Sequence, residues 1–309
     1  MHGLRLDGRR IRAGKAMETG EESARRLRGI LAMVGGTALF ACGDVFAKML
    51  TGDLPPLMIA WMRYVVFAGL MLAFVLATRG GSGLVSRRPL LQVVRGLGML
   101  GSAIFFMSGL VFLPVADATA IFFILPILLT AFAVLFLGEA VGWRRWAAAV
   151  AGFCGVLIVM RPGTGAFQIA SLFPILAALS WATAATITRF MSASDSSVTT
   201  LAYSALVGFG LASLAVPFFW VTPDAHQLAI ALIMGLVSSA GHGLVVLALR
   251  DASASLVAPY AYGQIVWAGA LGFLAFGVIP DGYTVLGAAI IAGAGIYISY
   301  RERGGGRSG

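Results

Sequence analysis

The run Leu113–Trp146, LPVADATAIFFILPILLTAFAVLFLGEAVGWRRW, decides the solvent in which this chain folds. Between Ala118 and Leu137 it carries no charge. A helix crossing ~30 Å of hydrocarbon needs about twenty mostly apolar residues, and this run supplies them. Arg144 and Arg145 follow at once, where a chain emerging from lipid gathers cations.

Outward from this run the pattern repeats. Apolar segments fall near 29–50, 56–78, 91–113, 116–138, 145–161, 170–190, 198–221, 227–249, 255–279 and 283–300, with short connections. Hydrophobic residues make up 59% of the chain and charged ones 11%, and the mean hydropathy is +0.92. A soluble domain carries roughly a quarter charged residues, so the apolar surface must face lipid. No connection has room for a soluble domain, and no P-loop pattern is present to bind ATP. Cys42 and Cys154 both lie in apolar runs, which implies no disulfide framework.

Residues 1–28 hold eight of the basic residues and read as a cytoplasmic, partly disordered tail. Arg79, Arg87, Arg88 and Arg95 collect in the second connection, Arg144 and Arg145 in the fourth, then Arg189, Arg250, Arg301, Arg303 and Arg307 on the same side. This bias predicts both termini inside and an even number of spans. The net charge of +9 is thereby assigned to topology, and no nucleic acid partner is expected.

The two halves resemble each other at an offset near 140 residues. Ala38–Leu50, ALFACGDVFAKML, parallels Leu179–Met191, LSWATAATITRFM, and Leu135–Glu139 parallels Phe273–Gly277. Five spans per half make the second half enter the membrane inverted, the architecture of many secondary transporters. The expected fold is therefore all-α and membrane-integral, with ten transmembrane helices as two inverted five-helix repeats. The expected units are a basic tail 1–28, repeats 29–163 and 164–303, and a C-terminal tail 304–309.

Val94–Gly163, with VRGLGML, the run quoted above and GFCGVLIVMRPG, closely resembles the first repeat of the EamA family of drug/metabolite transporters. APYAYGQIVWAGALGFLAFG and YTVLGAAIIAGAGIYISYRER resemble the second. The resemblance covers roughly residues 30–303. It implies export of amino acids, aromatic ones foremost, or of related metabolites by alternating access in the bacterial inner membrane. Glu139 closes the fourth span as in the family, whereas the matching second-half position is read as Gly277.

Charges inside spans are expensive and usually face a cavity or partner. Asp44 and Lys48 share one helix face and are candidates for proton coupling or gating, or for a structural ion pair. Arg63 is placed to hold a cargo carboxylate or to neutralise Asp44. His242, with Ser238 and Ser239 a turn before it, is a candidate titrating or packing group. Tyr260, Gln264 and Trp267 recur as one stripe and suggest a cavity wall, though such stripes also serve packing. Phe40, Trp181, Thr183, Thr186 and Tyr203 complete the candidate lining. Pro126 and Pro259 interrupt spans and, with Glu139, are candidate gating points. Ala148 with Gly152 and Ala289 with Gly293 have the small-xxx-small spacing of close helix contacts.

The function expected is secondary transport of a small molecule, with lipid as surroundings and protons as a candidate coupling ion. No cofactor or metal is expected, and a monomer is expected, with a homodimer as the alternative. A channel or non-transporting subunit is the competing reading. An intramembrane enzyme lacks support, since neither HExxH nor GxSxG occurs.

Overall fold

The computed structural model describes residues 4–138, 142–163, 168–191 and 194–305. These residues form helices joined by short connections, with no strand among them. The helices are α1 (Leu4–Leu50), α2 (Pro56–Arg79), α3 (Pro89–Phe112), α4 (Val115–Phe122), α5 (Leu125–Leu137) and α6 (Trp143–Met160). They continue with α7 (Leu172–Met191), α8 (Ser197–Ala215), α9 (Ala225–Asp251), α10 (Ala254–Ala261), α11 (Gly263–Phe276) and α12 (Gly282–Gly305).

Among the described residues, seven helical stretches are long and apolar enough to cross a membrane. One of them, Val115–Leu137, joins α4 and α5. The apolar parts of α6 and α12, Trp146–Met160 and Gly282–Tyr297, are shorter. The segment 255–279, read as one span, is two helices in series that meet at Tyr262. The chain is thus a multi-pass membrane protein. The tail expected to be irregular is drawn into α1, which reaches back to Leu4. A helix already nucleated in the membrane propagates outward without a second nucleation cost.

Local chemistry sets the ends. Pro56 and Pro89 open α2 and α3, where the missing N–H is harmless. Asp224 and Gln227 form a capping box at α9. Gly138 and Gly277 end α5 and α11 in the left-handed region, φ 66° and 68°, which glycine enters without penalty.

The packing has an internal symmetry that equates α1 with α7, α2 with α8, α3 with α9, and α6 with α12. Helix α1 packs on α9 and α11, and its counterpart α7 packs on α3 and α5. Likewise α3 packs on α8 as α9 packs on α2, while α2–α8 and α6–α12 pair with their own equivalents. The two helix breaks match as well: Phe123 before α5 and Tyr262 before α11 lie 139 residues apart, as do Gly138 and Gly277. That spacing corrects the register at the end of the repeat by one residue. The partner position of Glu139 is Val278, not Gly277, and Glu139 itself lies outside the described residues.

Glycines let helices touch along backbones. Gly29, Gly36 and Gly43, seven residues apart on one face of α1, meet Ala252 just past the end of α9 and Gly241 and Ser238 within it. The α6–α12 crossing centres on Gly155 and Gly287, where an added Cβ would stand 2.8 Å and 2.5 Å from the opposite backbone carbonyl. It does not centre on Ala148 or Gly293; nothing lies near a Cβ at Gly293.

Candidate functional site

Four helices bring polar groups together deep in the bundle. On α1, Asp44 is buried and accepts a hydrogen bond, 3.2 Å, from Nε2 of Gln264. Gln264 occupies the first turn of α11, directly after the Tyr262 break, so the half-helix's free N–H end points into the bundle near this pair. Arg63 of α2 lies close enough for its charge to act on both Asp44 and His242. Among the described residues its guanidinium forms no hydrogen bond or ion pair. A charged side chain at bilayer depth costs ~2.5–3.5 kcal/mol on insertion scales, so an unpaired one is a functional candidate.

Aromatic rings pack around the histidine of this group. His242 of α9 meets Phe40 edge-on at 4.7 Å and stacks on Phe67 at 5.4 Å. Its Nδ1 lies 3.0 Å from the backbone carbonyl of Ser238, not from a serine hydroxyl. With the Nδ1–H donating there, Nε2 is left as an acceptor. The hydroxyl of Ser239 is buried with no hydrogen-bond partner. Phe123 and Tyr262, the residues at the two helix breaks, face each other at 5.1 Å and join the halves.

The structure therefore links Asp44 with Gln264 and His242 with Phe40 and Phe67, with the charge of Arg63 reaching both Asp44 and His242; Ser239, on α9 a turn before His242, makes no hydrogen bond to them. It separates other candidates from them. Lys48 does not pair with Asp44; its Nζ donates to the Leu110 carbonyl at 2.5 Å, the end of α3 being closer than the acid a turn away. Thr183 and Thr186 bond back to Leu179 and Ala182 within α7. These two, Trp181 and Tyr203 make no hydrogen bond or ring contact with the group among the described residues. Tyr260 and Trp267 are 38% and 37% exposed and flank the Tyr262 break, so they form no stripe of a single helix. Pro126 sits in the first turn of α5 and Pro259 inside α10, each within four residues of a break. The Pro126 carbonyl accepts from Thr130 at 2.9 Å. Trp61 donates to Ser213 at 2.8 Å, and Tyr64 is buried against Gly208; both are packing residues.

A second polar cluster ties helices together at the end that carries Arg79 and Arg250. Asp195, in the α7–α8 connection, accepts from Ser86 Oγ at 2.5 Å, the Arg87 N–H at 2.9 Å and Gln92 Nε2 at 2.8 Å. These bonds hold its carboxyl below the usual carboxylate range, the Ser86 bond contributing most. Arg95 is buried and donates to Thr188 at 2.6 Å, to the Thr200 carbonyl at 3.1 Å and to Ser204. Counted from sequence as a residue of a connection, it lies inside α3. Together these bonds latch α3 to α7 and α8. Sequence reasoning missed the latch because its partners lie about a hundred residues apart and each reads singly as an interfacial polar residue.

At the opposite end a cavity of about 180 Å³ opens between α1, α4 and α11, with Lys48 and Asp117 among its lining. A wider one, about 650 Å³, lies near Glu22, Arg26 and Arg250. Its charges are exposed and satisfied by neighbours, Arg26 by Glu22 and Arg250 by Asp251.

A bundle of membrane-spanning helices, two of them broken at matching positions and one of these beside a buried acid–amide pair, has the make-up of a membrane transporter for a small molecule. The chain belongs to the EamA-like transporter family, whose profile matches residues 27–161 and 168–301. It is 31% identical over 278 residues to an S-adenosylmethionine uptake transporter of Rickettsia prowazekii, covering 90% of this chain and 94% of that one. It is 30% identical over 285 residues to a riboflavin transporter of Rhizobium johnstonii, covering 91% and 94%. A solved crystal structure shares the fold with a TM-score of 0.64 at 21% identity, over 91% of this chain and 99% of the other.

Proposed function

We propose that this protein is a ten-span secondary transporter whose two five-helix halves insert in opposite senses and carry a ring-bearing zwitterion by alternating access. The observation that carries this reading is the Asp44–Gln264 bond with the charge of Arg63 in reach of both Asp44 and His242, the latter packed against Phe40 and Phe67. Asp44 suits an ammonium, Arg63 a carboxylate, and the rings a heterocycle. S-adenosylmethionine combines all three features and is the first cargo to test, in keeping with the relative named for its uptake. Aromatic amino acids, moving outward, are the second reading, favoured by the same charge pair.

The matched helix breaks and the exchange symmetry of the packing support the inverted repeat. The basic residues at one end support an inner-membrane setting with both termini cytoplasmic. Proteoliposomes preloaded with unlabelled cargo test the function by exchange with labelled S-adenosylmethionine, phenylalanine or tryptophan outside. Exchange well above empty vesicles for one of these supports the reading. Background rates for all three would sink it. Net flux from each side then separates import from export.

A further inference from the structure

We infer that the cavity at the Lys48 end is a staging site that takes the charged head of an amino-acid-type zwitterion before the cargo reaches Asp44 and Gln264. This inference rests on the cargo class proposed above. The cavity, about 180 Å³, is lined by Lys48 of α1, Asp117 of α4, and Ala268 and Gly272 of α11. It is smaller than the roughly 300 Å³ at which pockets begin to enclose whole drug-sized ligands. It has room for a head group and leaves the ring outside.

Its chemistry is two-signed. Lys48 spends one of its three N–H donors on the Leu110 carbonyl at 2.5 Å, with Val111 at 3.5 Å, and keeps donors for a carboxylate. Asp117 accepts from Thr284 through Oδ1 at 2.8 Å, which leaves Oδ2 for an ammonium. Thr284 is itself buried and lies in the turn capped by Asp281, so Asp117 is held in place on the cavity wall.

Helical periodicity links this cavity to the deeper pair. Lys48 follows Asp44 by four residues, and Ala268 and Gly272 follow Gln264 by four and eight, each on the same face. The cavity floor is therefore about one turn, ~5.4 Å, from the Asp44–Gln264 bond. Gly269 and Gly272 line the cavity on α11 without side chains, next to Pro280 and Val115 of the same lining. The Asp195 and Arg95 latch lies at the opposite end of the bundle, so the proposed entry is at the Lys48 end.

The test is concentration-dependent exchange in proteoliposomes containing the full chain, with S-adenosylmethionine and its decarboxylated form as probes. Lys48→Met raises the KM for S-adenosylmethionine on the order of tenfold, the low end for a charge-assisted bond in a hydrated mouth. The maximal rate is retained, Lys48→Arg restores the KM, and the decarboxylated probe is unaffected. Asp117→Asn raises the KM for both probes. In contrast, Asp44→Asn removes exchange of both. Unchanged KM values in Lys48→Met and Asp117→Asn, alongside loss in Asp44→Asn, would overturn the staging site and leave the deeper one standing. A loss of maximal rate in Lys48→Met that Lys48→Arg does not restore would make Lys48 a strut for α3 and also overturn it. Background exchange by the parent chain would remove the cargo class and the staging site together.

Discussion

Replacing Asp195 with alanine removes the acceptor of three hydrogen bonds that tie residues 86–92 to the α7–α8 connection. A buried bond to a charged group is worth ~1.5–3 kcal/mol, but this connection borders water and each bond is discounted accordingly. A total of about 1–2 kcal/mol is the reasonable magnitude, equivalent to a shift of roughly 5- to 30-fold between latched and open forms. Arg95 and its contacts with Thr188, Thr200 and Ser204 persist, so the latch weakens without the bundle coming apart. Deuterium exchange read by mass spectrometry follows this locally. Peptides covering 86–96 and 194–204 lose protection by about tenfold in Asp195→Ala, while peptides of α12 keep theirs. Equal protection in variant and parent would refute the idea that Asp195 closes this end.

Other consequences are as direct. The Asp195 carboxyl is depressed, so its contribution is complete above the ordinary carboxylate value near 4 and is lost as pH falls through its lower folded value. Protection of 194–204 is therefore flat from neutral pH to about 5 and drops only under stronger acid; a midpoint near neutrality would contradict the assignment. Gly287→Ala places a methyl 2.5 Å from both the Gly155 carbonyl and a Val159 methyl. Overpacking of ~1–3 kcal/mol outweighs the ~1 kcal/mol gained in helix propensity, so the detergent-solubilised protein melts several degrees lower. Gly293→Ala, in the same helix with open space around it, keeps the propensity gain without the clash, so its midpoint holds or rises and it serves as the control. Gln264→Leu leaves Asp44 buried without its hydrogen-bond donor, and cargo binding falls on the order of tenfold or more.

Hydropathy and arginine placement made the membrane character legible, because both are sums over many residues and tolerate local error. The half-to-half likeness was legible too, but its register slipped by one at Gly277, since apolar runs align almost equally well at neighbouring offsets. Asp44, Arg63, His242 and Gln264 stood out for a physical reason: polar side chains in lipid need partners. What escaped was pairing. Lys48 lies a turn from Asp44 in sequence, yet the Leu110 carbonyl comes closer in space. The breaks at Phe123 and Tyr262 were foreshadowed by Pro126 and Pro259, but their facing rings depend on how the halves dock. Arg95 was counted with the second connection and Gln92 drew no reading, because nothing local marks a residue that bonds across a hundred positions.

The central claim is that cargo is held by Asp44 and Arg63, near the rings packed on His242. Equilibrium binding of labelled S-adenosylmethionine and phenylalanine to the purified parent, Asp44→Asn and Arg63→Met tests it most directly. The parent binds one of the two saturably, and each variant loses at least tenfold in affinity with its fold intact by circular dichroism. Saturable binding that both variants retain at parental affinity would contradict it.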